Sequence, residues 1–171
     1  MLKQTGRVGD SLTAAQKSVK LAPQDAEAHN NLGNTLKEVG KLDEALACYN
    51  QAITLKPDFA EAHFSMGITL KELGRLDEAL ASYNQTIALK PDFAEAQTNL
   101  GGLLRNLGRL DEALASYSKV IALKPNFAEG QDNLGITLKE LGKLEEAIEA
   151  HNKALSLKPC LLYTSDAADE R

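Results

Sequence analysis

The five prolines of this 171-residue chain stand at Pro23, Pro57, Pro91, Pro125 and Pro159, each 34 residues from the next. A fixed period of roughly 20 to 50 residues marks an array of supersecondary units, each too small to bury its apolar face alone and stable only when stacked. Set out on that period, the chain falls into copies at residues 26–59, 60–93, 94–127 and 128–159. Residues 1–25 align as the second helix of an earlier, partial copy.

Each copy holds two helical patterns. In the first, His29, Leu32, Gly33, Leu36 and Val39 recur at three-and-four spacing, and beyond Gly40 the series Leu42, Ala45, Leu46, Tyr49 and Ile53 does so again. The spacing predicts about nine helices before Pro159 and no strand. Asp58 with Glu61, Asp92 with Glu95 and Asn126 with Glu129 stand three apart before an apolar series, the pattern of a capping box. Gly40, Gly74, Gly108 and Gly142 are expected to end each first helix. The pairs Asp43-Glu44, Asp77-Glu78, Asp111-Glu112 and Glu145-Glu146 suit the positive end of the second helix dipole. Each proline stops that helix. Mid-helix Gly33, Gly67, Gly101 and Gly135 cost roughly 1 kcal/mol each against Ala, and close approach to Ala45, Ala79, Ala113 and Ala147 is the expected offset.

These residues resemble the tetratricopeptide repeat family, whose pattern is Trp-x-x-Leu-Gly-x-x-Tyr, then Ala-x-x-x-Phe, then Pro. The first copy reads His29, Leu32, Gly33, Leu36, Ala45, Tyr49, Pro57, and the second His63, Met66, Gly67, Leu70, Ala79, Tyr83, Pro91. The third and fourth carry Gln97, Leu100, Gly101, Leu104, Ala113, Tyr117, Pro125 and Gln131, Leu134, Gly135, Leu138, Ala147, His151, Pro159. The departures are His or Gln for Trp, Leu for Tyr, and Tyr or His for Phe. The resemblance covers residues 1–159. It implies an all-α, right-handed solenoid of antiparallel helix pairs, with the first helices lining a concave groove and with peptide or protein binding as the activity.

Residues 160–171 break the pattern where another first helix is due. Residues 160–169 resemble the one-frame translation of a transposase-end sequencing adapter, so this tail is expected to be non-native, to add little stability, and to leave the array a fragment of a longer protein. Ile148 and Leu155 at the uncapped end would then favour self-association.

Composition narrows the function. With 24 acids against 19 bases the net charge is −5, and the Lys and Arg are evenly spread, so no basic stripe gathers phosphates and nucleic acid is not an expected partner. No apolar run is long enough to span a bilayer. Residues 1–10 lack the pattern of a signal peptide, and Cys48 and Cys160 form no disulfide framework, so the expected setting is cytoplasmic. His29, His63, His151 and the two cysteines lack the short spacings of zinc sites. No metal and no cofactor are therefore expected. His29 and His63 sit in the large-aromatic slot of the pattern and His151 in the second aromatic slot, which favours packing. The recurring acid pairs read as helix-start residues rather than as a catalytic dyad. Gly101-Gly102 follows a helix and does not extend to a phosphate loop. No catalytic residue is expected.

The groove is where function is sought. At 100° per residue, Leu32, Leu36 and Val39 centre on one stripe, and Glu27, Asn30, Asn31, Asn34, Lys37 and Glu38 lie opposite, on the groove side. The recurring members are Asn31, Ser65, Asn99 and Asn133, then Lys37, Lys71, Arg105 and Lys139, with Glu27, Glu61, Glu95 and Glu129 at the helix starts. Phe64 interrupts the polar run as a candidate apolar anchor. Asn is a mediocre helix former, and a side-chain amide both donates and accepts, which suits it to gripping peptide backbone. Two readings of the series stand. One is an asparagine ladder similar to that in the repeat region of O-linked N-acetylglucosamine transferases. The other is a solvated face left by duplication of near-identical copies. A clamp for carboxylate-ended tails is not expected, because acids hold the helix starts. The expected function is a non-catalytic protein-interaction scaffold binding an extended peptide or partner helix. The rival is the substrate-recognition arm of a larger glycosyltransferase.

Overall fold

The computed structural model describes residues 2–158, with side chains from residue 9. The tail at 160–171 lies outside the described residues. Two compact units divide the chain, Met1–Ala96 and Gln97–Arg171. Among the described residues there are nine helices and no strand. The first unit carries α1 (Leu2–Leu21), α2 (Ala26–Glu38), α3 (Leu42–Leu55), α4 (Ala60–Glu72) and α5 (Leu76–Leu89), and α6 (Ala94–Asn106) opens at its end. The rest of α6, α7 (Leu110–Leu123), α8 (Ala128–Glu140) and α9 (Leu144–Leu157) belong to the second unit. In the first unit α2 packs on α3 and α4 on α5, while α1 lies against α2, α3 against α4 and α2 against α4. In the second unit α9 packs on α8, and α8 on α7.

The turn inside each pair is built from two residues. Gly40, Gly74, Gly108 and Gly142 have φ of 78°, 76°, 74° and 78°, the left-handed conformation that only Gly adopts freely. The Gly40 N–H donates to the Lys37 carbonyl and the Lys41 N–H to the Leu36 carbonyl, both at 2.9 Å. This is a Schellman motif. Lys41 then serves at once as the N-cap of α3. Having no side-chain cap bond to make, it pairs with Glu44 one turn on at 2.9 Å, as Arg75 does with Glu78 and Arg109 with Glu112 at 2.6 Å. All these pairs are exposed, so water and salt screen them and they add little to stability.

The other helix starts differ from expectation. Phe59 and Phe127 hold the N-cap positions of α4 and α8, one residue after Asp58 and Asn126, and no side chain caps either helix. The capping boxes Asp58/Glu61 and Asn126/Glu129 therefore do not form. Phe59 is buried with Ala26, Ala52 and Ala62, and Lys56 Nζ lies 4.8 Å from its ring centre. Burying a ring is worth more than the roughly 1 kcal/mol of a side-chain cap, so the ring decides where the helix begins. In α2 the same slot holds Asp25, whose carboxylate does cap, accepting from the Glu27 N–H at 2.9 Å.

The mid-helix glycines also meet a different partner from the one expected. A Cβ built on Gly33 would lie 2.6 Å from the Tyr49 ring, one on Gly67 2.8 Å from Tyr83, one on Gly101 2.9 Å from Tyr117, and one on Gly135 2.8 Å from His151. The close approach is thus helix backbone to aromatic ring, not to Ala45 and its equivalents. Tyr49, Tyr83 and Tyr117 are all but fully buried. Sealing each ring contributes on the order of 3 kcal/mol, which exceeds the roughly 1 kcal/mol the glycine costs. Leu36, Leu70, Leu104 and Leu138 complete the buried stripe, whereas Val39, expected there, stands 37% exposed.

Neighbouring glycines of α6 make this testable. At Gly101 an added methyl collides with a ring, but at Gly102 it meets only the Tyr117 hydroxyl at 3.5 Å, an ordinary contact. Urea denaturation should show Gly101→Ala destabilised by about 1 to 3 kcal/mol and Gly102→Ala neutral or stabilised by up to about 1 kcal/mol. Equal effects at the two positions would contradict ring-to-backbone packing.

Candidate functional site

Once rings and leucines are buried, the polar side of the first helices remains. In the first unit Asn31 is exposed and Asn34, Lys37, Phe64, Ser65 and Lys71 are half-buried. In the second unit Asn99, Arg105 and Asn133 are half-buried and Lys139 is exposed. Asn30, placed on the same open stripe by the 100° count, is instead buried, with its side-chain carbonyl enclosed and unpartnered.

The tyrosine hydroxyls connect packing to this face. Tyr49 Oη donates to Asn34 Oδ1 at 2.9 Å. Burial pushes that phenol up to about 12, and the hydroxyls of Thr69 and Ser65 pull the other way. In the first unit the fold therefore gathers Asn34 and Ser65 around one phenol. Ser65 also accepts through its backbone carbonyl from Thr69 Oγ1 at 2.9 Å, as Asn31 does from Thr35 at 2.9 Å and Asn133 from Thr137 at 2.8 Å. Each of these is a hydroxyl back-bond to the helix's own backbone, and it uses the carbonyl, not the side chain, of residues 31, 65 and 133.

Phe64 sits in the slot of Asn30 and packs on Phe93 and Tyr83, with ring centres 4.7 and 6.1 Å apart. It is committed to an aromatic cluster while keeping part of its surface open. Tyr83, under that cluster, has no such partner as Asn34, because the equivalent residue is Ile68; its hydroxyl is buried and unpartnered, and burial raises its pKa to about 12.

The remaining candidates hold structural posts. His29 Nε2 lies 3.0 Å from the Pro23 carbonyl and His63 Nε2 3.1 Å from that of Pro57, tying each first helix to the loop before it. His151 Nδ1 lies 3.0 Å from Asp132 Oδ1. Burial raises the Cys48 thiol, with Glu44 adding to the shift, which disfavours a reactive thiolate. Among the described residues no three of His, Cys, Asp or Glu are placed to hold a metal ion, and no helix is long and apolar enough to cross a membrane. One feature escaped the periodicity argument. Gly102 stands where other copies have Asn34, Ile68 and Ile136, leaving a gap beside Tyr117. The signal was the missing side chain in an otherwise filled column.

The hydroxyls separate by mutation. Tyr49→Phe should cost about 1 kcal/mol in chemical denaturation, because it strands Asn34, whereas Tyr83→Phe should be neutral or stabilising, since it removes a buried donor that pairs with nothing. A larger loss at Tyr83 than at Tyr49 would refute this assignment.

Comparison with known proteins follows the same lines. Tetratricopeptide repeat family profiles match residues 14–47, 64–128 and 128–159, and a TPR repeat profile matches residues 35–74. A crystal structure of MamA is 25% identical and superposes with a TM-score of 0.84, covering 92% of this chain and 92% of that one. MamA 41-end from Desulfovibrio magneticus RS-1 is 20% identical with a TM-score of 0.82, over 91% of this chain and 88% of that one, a likeness of fold alone. No curated protein matches the chain. The fold is an all-α solenoid of antiparallel helix pairs, and the chain belongs to the tetratricopeptide repeat family.

Proposed function

We propose that the chain is a non-catalytic protein-interaction scaffold that takes an extended peptide along the polar side of its first helices. The observation that carries this reading is the division of labour within each helix pair. Rings, leucines and small residues account for the core, while the column Asn31, Ser65, Asn99 and Asn133 stays open or half-open and is not needed to bury anything. An amide or hydroxyl recurs at every 34th position of the sequence, and each can both donate to and accept from peptide backbone. Binding through the backbone tolerates varied side chains. Phe64 supplies an apolar contact in the first unit, and Lys37, Lys71, Arg105 and Lys139 bias the encounter toward acidic partners.

Among the described residues, the exposed apolar face of α9 adds a second contact surface. Leu144, Ile148 and Leu155 are 60%, 61% and 58% exposed. An apolar stripe of this kind favours self-association between copies.

Replacing Asn31, Asn99 and Asn133 together by Ala should weaken binding to an extended peptide selected from a display library by about 0.5 to 1.5 kcal/mol per lost hydrogen bond. Folding stability should hold or rise, because Ala is the better helix former. Isothermal titration of the full chain reads the first effect and a melting curve the second. Full affinity in the triple variant, with a strong preference for acidic sequences, would replace the ladder by charge steering.

A further inference from the structure

The seam between two neighbouring helix pairs of the first unit does not close completely. A cavity of about 290 Å³ opens there, lined by residues of α3, α4 and α5. Buried Leu46 and Leu70 and half-buried Met66 form its apolar part, and Asn50, Arg75 and Glu78 its polar part. It shares no residue with the column of Asn31 and Ser65, so it stands apart from the proposed peptide groove.

The lining specifies what fits. An apolar cavity of about 150 Å³ is enough to hold benzene, so this one has room for an indole or phenol ring. Arg75 Nε donates to Glu78 Oε1 at 2.7 Å and Nη2 to Oε2 at 2.6 Å, a two-bond fork that fixes the guanidinium plane. That fork is occupied and no other cation lines the cavity among the described residues, so an anionic guest finds no ready counter-charge. Both carboxylate oxygens are engaged as well, which removes the attraction for a cationic guest. The Arg75 side chain is still 46% exposed, and the flat face of a guanidinium is complementary to the negative face of an aromatic ring. Met66 replaces the Leu32, Leu100 and Leu134 of the other copies, and a thioether adapts to a ring and contacts it favourably. Exposed Asn50 offers an amide oxygen to an indole N–H or a phenol O–H. In the second unit the equivalent stations hold Leu134, Lys143 and Ser118, without sulfur, guanidinium or amide.

We propose that this cavity seats one aromatic side chain, tryptophan or tyrosine, of a protein partner. A residue within a chain suits it better than a free aromatic amino acid, because no uncommitted charge lines the cavity to pair with a free ammonium or carboxylate. The seat is independent of the groove reading: it anchors a partner through α3, α4 and α5 whether or not a peptide runs along the column of Asn31 and Ser65.

Methyl resonances of methionine test this on the full chain, whose only methionines are Met1 and Met66. Titration with the peptide Ser-Ala-Ser-Trp-Ser-Ala-Ser, blocked at both ends, should move the Met66 methyl upfield by ring current, with half-saturation at about 1 mM, and leave the Asn31 amide unmoved. The same peptide with Leu in place of Trp should bind about fivefold more weakly. Arg75→Lys, which installs the residue of the first and fourth copies, should weaken the Trp peptide about threefold. Ala81→Leu, at an exposed lining position, should fill the mouth and abolish the Met66 shift. Melting curves check that both variants fold, and if Ala81→Leu does not, Arg75→Lys decides alone. No Met66 shift, equal binding of the Trp and Leu peptides, or a shift that survives the variants unchanged would overturn the seat and leave the groove reading standing. Free tryptophan binding more tightly than the Trp peptide would overturn the assignment to a protein partner.

Discussion

An aromatic ring pressed onto bare helix backbone joins each of the four helix pairs among the described residues. Gly33, Gly67, Gly101 and Gly135 leave the space, and Tyr49, Tyr83, Tyr117 and His151 fill it. Each half of the contact is costly alone, since a mid-helix glycine loosens its helix and a tyrosine asks for a partner at its hydroxyl. Joined, they draw two helices closer than any side chain between them would permit. With no Trp in the chain and only four each of Tyr and Phe, the few rings present have to be used in this way. Where a histidine replaces the last tyrosine, the contact survives and Asp132 takes up the ring nitrogen.

Ring packing also shapes the groove. A phenol seated on the backbone projects its hydroxyl toward the polar side of the first helix, so the residue that follows the glycine determines what that hydroxyl does. Asn34 engages it, Ile68 smothers it, and Gly102 uncovers it. Near-identical copies thereby acquire different local chemistry from single substitutions in one column, without any change in how the helices pack. The proposed peptide backbone grip rests on what the column at 31, 65, 99 and 133 holds in common.

Much of this was legible in the sequence, because a 34-residue period with proline and glycine at fixed stations leaves few ways to arrange helices. Two helices in each copy and the glycine turns between them follow from it. What periodicity missed was decided by packing between elements. Asp58 and Asn126 have the chemistry of caps, but burial of Phe59 in its pocket moves the helix start one residue on. Ala45 is small enough to face Gly33, but the ring of Tyr49 reaches the space first. Asn30 falls on the polar side of a helical wheel, yet neighbouring helices close over it, which a wheel drawn for one helix does not include. Gly101-Gly102 was visible as a pair, but only the position of Tyr117 gives its two members opposite meanings.

The central claim is that packing exhausts the apolar side of each pair and leaves the polar side of the first helices as the binding surface. Amide chemical-shift mapping of the full chain with a display-selected peptide tests it most directly. The account predicts shifts concentrated on the first-helix residues Asn31, Ser65, Asn99 and Asn133 and their helical neighbours, with the outward second-helix acids Asp43, Asp77 and Asp111 unmoved. Shifts confined to the second helices, or to Leu144, Ile148 and Leu155 of α9, would place the binding surface elsewhere and contradict it.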